Sequence, residues 1–239
     1  MQAPAQNDFS VKPELKAVVF DMDGVVIESE YTHYQAICEA MGEKMTVDYP
    51  TFIEKCTGGD ERFAMGRMAE LSNINYDEEI FQNWSGRKAA AYQKLIKKEA
   101  KAMPGAEDLV ISTAGRFPIA LATGSRRTDV DAALEVLAEG RLKNLFHTIV
   151  TSSEVEKPKP HPSTYQKAVN DLKMPPEYCL AIEDSPNGIR SAKEAGLAVL
   201  AVSAMHDEEA LSQADSCVPS LEGISTNDLV CMFQSFPGP

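Results

Sequence analysis

The sequence has no apolar run approaching the roughly 20 residues that a membrane-spanning helix needs, so no membrane partner is expected. Its opening stretch, MQAPAQNDFSVKPELK, lacks the charged and apolar regions of a secretory leader. It reads as a polar tail up to about Glu14, and a cytoplasmic location is the expectation. Cysteine is sparse and scattered: Cys38, Cys56, Cys179, Cys217 and Cys231 form no CxxC pair, and no histidine stands at zinc-ligand spacing from them. That pattern excludes a disulfide framework and points to free thiols in a reducing compartment. Positive charge is in deficit, with 23 Lys and Arg against 36 Asp and Glu and a net charge of −13. Such a balance argues against nucleic acid or an anionic membrane surface as partner. There are no internal repeats and no low-complexity tracts.

What remains is an ordinary globular composition, 44% hydrophobic and 25% charged, over 239 residues. That length suffices for one substantial core, or for a core and a smaller lobe. Five short apolar runs stand out: Lys16–Phe20, Pro118–Thr123, His147–Thr151, Cys179–Asp184 and Leu197–Val202. They are nearly continuous in apolar character instead of alternating, as in parallel strands buried on both faces. Helical patterns lie between them. Thr128–Glu139 ends at Gly140, and Ser185–Ala195 opens on Ser-Pro and ends at Gly196. This alternation predicts a Rossmann-like, doubly wound α/β sheet.

The stretch from Ser29 to Met103 carries no strand signal. Apolar residues recur there at helical spacing, as in Tyr31, Tyr34, Cys38 and Met41, and again in Ile80, Trp84, Ala91 and Leu95. A block of this size is too large for a simple crossover. The expectation is an all-helical domain, residues 29–103, inserted into an α/β core formed by residues 1–28 and 104–239.

Four local patterns carry chemistry. Asp21-Met22-Asp23-Gly24 follows the first strand, where ligands bind in open α/β sheets. Residues i and i+2 of an extended chain share a face, and Gly24 allows the backbone to approach a ligand. Thr123-Gly124-Ser125 ends the second strand with a hydroxyl, small residues and a helix start, a combination suited to phosphoryl oxygens. Lys157-Pro158-Lys159-Pro160 follows the third strand, with Lys157 expected in the site and Lys159 as an exposed loop lysine. Glu183-Asp184-Ser185-Pro186 ends the fourth, and adjacent acids there are costly to bury without a cation. At about 4 Å and an effective dielectric near 20, each like-charge contact costs roughly 4 kcal/mol, so an ammonium in such a cluster matters.

In order, the segments DMDGVVIESE, LATGSR, KPKPHPSTY and IEDSPNGIRSAKEAG resemble the four motifs of the haloacid dehalogenase-like superfamily. The resemblance is to its phosphatase and β-phosphoglucomutase-like branch with a helical cap, and it runs from Lys16 to Val202. It implies that Asp21 is a nucleophile forming an aspartyl-phosphate and that Asp23 is the acid and base. Mg²⁺ would be held by Asp21, the backbone carbonyl of Asp23 and Asp184, with Glu183 at or near it. Thr123 would bind the phosphoryl group and Lys157 would neutralise it. His33, on the first cap helix, would assist Asp23, and the loop Thr57-Gly58-Gly59-Asp60 resembles the cap's specificity loop. Asp60-Glu61 stand where the mutase has a serine and a phosphate-gripping arginine, which favours a phosphatase over a mutase. The implied substrate is a small phosphate ester, the cofactor Mg²⁺, and a monomer is the expectation for this fold.

Overall fold

The computed structural model describes residues 13–57 and 60–236. Six parallel strands form one sheet in the order β3-β2-β1-β4-β5-β6. They are β1 (Ala17–Phe20), β2 (Ile119–Ala122), β3 (Thr148–Val150), β4 (Cys179–Glu183), β5 (Ala198–Val202) and β6 (Ser216–Val218). All five expected strands are present, within one or two residues of their expected ends. The sixth, at the edge, was not anticipated: its three residues are only half-buried and carry almost no apolar signal.

The two-residue period of a strand explains why these runs are apolar throughout. On β1, Val18 and Phe20 join one core with Ile119, Leu121, Leu180, Ile182, Leu200 and Val202. The intervening Ala17 and Val19 join a second core with Ala120, Ala122, Cys179, Ala181, Val199 and Ala201. Helices cover both faces, so neither residue of an alternating pair can be polar. The first core is closed by helices α5 (Ala106–Ala114), α6 (Arg127–Val136) and α9 (Thr226–Ser235). The second is closed by α7 (Ser163–Leu172) and α8 (Pro186–Glu194). This is the expected doubly wound α/β architecture.

Helix α6 stops at Val136, three residues short of the expected end. Ala138 and Glu139 take φ values of +46° and +56°, so the chain leaves the helix before Gly140.

Between β1 and α5 lie four helices, α1 (Glu30–Met41), α2 (Tyr49–Cys56), α3 (Glu61–Leu71) and α4 (Glu78–Glu99). Aspartates start three of them, Asp48, Asp60 and Asp77 each accepting a hydrogen bond from a first-turn N–H. These helices bury an apolar cluster of their own, built on Ile37, Phe52, Met65, Met68 and Trp84. Ala36 at the middle of α1 and Ala91, Tyr92 and Ile96 in the C-terminal half of α4 instead join the sheet-side core. The chain enters and leaves this block at adjacent points: Glu28 N–H donates to Lys101 O at 2.9 Å and Met103 N–H to Val26 O at 3.1 Å. No helix among the described residues is long and apolar enough to cross a membrane.

Candidate active site

A cavity of about 440 Å³ lies over the C-terminal ends of β1, β2 and β4, the three central strands. These strands flank the point where the connections reverse direction, the position at which open α/β sheets bind ligands. Its floor carries Asp21, Asp23, Lys159 and Asp184, and α1, α3 and α4 overhang it with His33, Glu61 and Lys88.

Asp21 extends β1 by one residue, its N–H donating to Ile182 O at 2.9 Å. Its Oδ1 accepts from Lys159 Nζ at 2.6 Å, and the same ammonium donates to Glu183 Oε1 at 2.5 Å. Lys159 is therefore the lysine of the site, and the expectation for Lys157 is corrected: Lys157 is exposed and lies outside the cavity wall. The Lys-Pro-Lys-Pro segment carries two lysines of identical local pattern, and only the second is turned inward. Burial would strip Lys159 of its proton, but Asp21 and Glu183 together hold its pKa above the usual range.

Glu183 is fully engaged. Its Oε1 also accepts from Tyr165 Oη at 2.9 Å, and its Oε2 from the N–H groups of Asp184 and Ser185 at 3.0 and 3.2 Å and from Ser185 Oγ at 3.1 Å. It acts as the anchor of Lys159. A Cβ at Gly188 would lie 1.8 Å from Glu183 Oε1, so the first turn of α8 reaches this carboxylate only because Gly188 has no side chain.

Asp184 is different. Its carboxylate is buried, at 6% exposure, and makes no hydrogen bond or ion pair with the described residues. Burial, then the charges of Glu183 and Asp21, push its pKa well above the usual range. Burial chiefly raises Asp21 as well, to about 8, with Lys159 pulling it back and Glu183 and Asp23 adding to the rise. Ligand oxygens of Asp21, Glu183 and Asp184 lie within 4.8 Å of one another. Two destabilised carboxylates in one all-oxygen corner fit a hard divalent cation, with Asp21 and Asp184 as its carboxylate ligands. Gly24 belongs to this corner and not to the cavity wall. It sits at φ +78°, and a Cβ there would lie 1.9 Å from Asp184 Oδ2, so the absence of a side chain makes room for this aspartate.

The Asp23 carboxylate faces another way. Ser29 Oγ donates to its Oδ1 at 2.5 Å and His33 Nε2 lies 3.1 Å from the same oxygen. Ser125 Oγ donates to Oδ2 at 2.7 Å, and Thr123 Oγ1 approaches it at 3.4 Å. Burial alone would raise its pKa, but the bonds from His33, Ser29 and Ser125 hold it below the carboxylate range, so it is firmly ionised. The His33 ring is fixed in turn by stacking on Tyr92, centroids 4.4 Å apart. Gly124 and Ser125 line the cavity as expected. Thr123 is fully buried, and its hydroxyl accepts from Ser125 N–H at 3.0 Å, bracing the loop beside Asp23. Gly58 lies outside the described residues.

Sequence reasoning missed the groups on the far wall. Lys88 of α4 is buried, 3.1 Å from Asp129 Oδ2 of α6 and 3.3 Å from Glu61 Oε2 of α3. Glu61 Oε1 accepts from Arg126 at 2.8 Å and from Ser85 Oγ at 2.5 Å. A signal existed for Lys88: it falls on the buried stripe of α4 with Trp84, Ala91 and Tyr92, where a lysine needs a partner. Glu30, at the start of α1, also lines the cavity and makes no hydrogen bond or ion pair with the described residues.

The assembly brings together a buried carboxylate in contact with an ammonium, a corner shaped for a cation, and a second, ionised carboxylate beside a histidine. Such a set can accept a phosphoryl group and move a proton. The model of the haloacid dehalogenase-like hydrolases matches residues 15–196. Protein CbbY of Rhodobacter capsulatus is 31% identical over 221 residues, covering 89% of this chain and 96% of that protein. A phosphorylated carbohydrates phosphatase of Thermotoga maritima is 29% identical, covering 84% and 91% of the two chains. The structure of CbbY from Rhodobacter sphaeroides in complex with phosphate superposes with a TM-score of 0.80 at 26% identity, over 90% of this chain and 99% of that one. The chain is thus a member of the haloacid dehalogenase-like hydrolases.

Proposed function

We propose that this chain is a phosphatase that hydrolyses a small phosphate monoester, of the sugar phosphate class, through attack by Asp21 on phosphorus. The observation that carries this reading is the Asp21 carboxylate, buried on the cavity floor with Lys159 on one oxygen and an unpartnered Asp184 beside it. A magnesium ion held by Asp21 and Asp184 would neutralise charge on the transferring phosphoryl group and on these two acids. In the first step an Asp21 oxygen forms a bond to phosphorus, the ester P–O bond breaks, and the leaving oxygen takes a proton from the Asp23–His33 pair. In the second, a water oxygen forms a bond to the phosphorus of the aspartyl-phosphate, the Asp21 O–P bond breaks to return the carboxylate and release inorganic phosphate, and Asp23 takes a proton of that water. The ionised state of Asp23 suits it to this second role. Lys159 offsets the negative surplus, and Ser125 and Gly124 shape the phosphoryl end.

Residues 29–103 would act as a cap, its helices excluding water from the reacting group. Relatives that include a phosphatase of phosphorylated carbohydrates support the substrate class. The test is phosphate release from a panel of sugar phosphates, nucleotides and phosphoglycolate with Mg²⁺, wild type beside Asp21→Asn. Release by wild type and none by a folded Asp21→Asn variant is expected. A hexose 1-phosphate converted mainly to its 6-phosphate isomer, with little free phosphate, would make the chain a mutase instead.

A further inference from the structure

Resting on the phosphatase reading, we propose that the cavity takes a monophosphate with an uncharged, hydroxyl-rich remainder and refuses a second phosphate, and that Glu61 enforces the refusal. The phosphate being cleaved occupies the Asp21–Lys159 corner. Any second anionic group would have to meet a cation elsewhere on the wall, and among the described residues the Lys and Arg side chains there are Arg62, Lys88 and Arg126. Each is already committed to a carboxylate of the chain. Arg62 makes a two-pronged pair with Glu78, at 2.5 and 3.2 Å. Lys88 is buried between Asp129 and Glu61. Arg126, at 37% side-chain exposure the most reachable of the two that Glu61 binds, donates to Glu61 at 2.8 Å. His206, on the loop after β5, has its pKa lowered by burial, against the pull of Asp207 and Glu183, and adds no fixed positive charge.

The wall carries two further acids, among apolar residues such as Ile37, Phe52 and Phe81. Glu30 faces the cavity with no partner among the described residues, and Asp60 stands beside Glu61. A phosphate dianion arriving here finds, among the described residues, no Lys or Arg free of a carboxylate partner and at least one acid without a partner. Hydroxyl groups find acceptors in the same carboxylates. Glu61 is the pivotal member because its two oxygens neutralise Arg126 and share Lys88, while Ser85 Oγ fixes its position. It is a specificity-determining residue and plays no part in the bond-breaking step.

The full chain with Mg²⁺ is assayed for phosphate release from a hexose 1-phosphate and from the matching 1,6-bisphosphate. Wild type is expected to favour the monophosphate in kcat/KM by at least about tenfold, well within what one uncompensated like-charge contact can impose. Glu61→Gln frees Arg126 and is expected to narrow that ratio by roughly tenfold, and adding Arg126→Ala to it should restore the preference. Arg126→Ala alone should leave the ratio unchanged, because the guanidinium is already spent, which keeps the test open if Glu61→Gln melts early. Wild type cleaving both substrates equally well, or Arg126→Ala alone widening the ratio, would overturn the inference and leave the phosphatase reading intact. No release from either substrate would overturn the phosphatase reading itself.

Discussion

At the scale of single residues, the site turns on which lysine is inside. Lys159 touches two carboxylates whose burial would otherwise be intolerable, while Lys157, two residues earlier, is exposed. Lys159→Ala is expected to lower kcat/KM by roughly 10²–10³, the loss typical of one donor aimed at developing charge. It should also destabilise the fold by about 3–5 kcal/mol, because Asp21 and Glu183 are left buried without a counter-charge. Lys157→Ala should change neither quantity by more than about twofold in rate or 0.5 kcal/mol. Steady-state kinetics and urea unfolding of the two variants decide the point. Asp21 itself works against stability. Its pKa in the fold is pushed up to about 8 from an ordinary 3.8, so the folded chain binds this proton more tightly than the unfolded one. Stability from this group is therefore lost as pH rises from about 4 to 8. Asp21→Asn should abolish turnover yet, with EDTA at pH 7.5, melt no lower than wild type; a clear fall in Tm would show that its pair with Lys159 outweighs its burial.

At the scale of elements, the strands were legible because both faces of the sheet are covered, which forces continuous apolar runs. Edge strand β6 was not, since half-buried Ser216, Cys217 and Val218 leave no such run. The Asp21–Asp23 spacing and the acids ending β4 were legible for a related reason: side chains at strand ends are placed by the sheet itself. Lys159 was not, because a loop of several residues separates it from Val150 and no periodicity fixes which lysine turns inward. Nor was the close packing of Asp184 on Gly24, since it is a contact between distant segments. Helix α8 shows how such an approach overrides local preference. By propensity alone, Gly188→Ala should stabilise the helix by about 1 kcal/mol. The added Cβ would fall 1.8 Å from Glu183 Oε1, so this variant is expected to melt several degrees lower and to lose at least about tenfold in kcat as Lys159 loses its anchor. A higher Tm with unchanged kcat would mean that Glu183 does not hold the lysine in place.

At the scale of the whole molecule, the helical block and the sheet are joined covalently by two adjacent crossings, at residues 26–28 and 101–103. Away from these, several polar ties join them, Glu61 to Arg126, Lys97 to Glu135 and Lys88 to Asp129 among them, and the last is the most buried, at 4% and 0% side-chain exposure. With neither charge in reach of bulk water, each depends on the other. Asp129→Ala should cost about 3–5 kcal/mol, because it leaves the ammonium with only the more distant Glu61. Replacing both, as Lys88→Met with Asp129→Leu, should recover most of that loss, since an apolar pair of similar volume avoids the desolvation that the ions must offset. Urea unfolding of wild type, both single variants and the double gives the coupling energy directly. A double variant as unstable as the sum of the singles would mean that the two charges do not act as a pair, and that α4 is held to α6 by its apolar contacts and by the exposed Lys97–Glu135 pair.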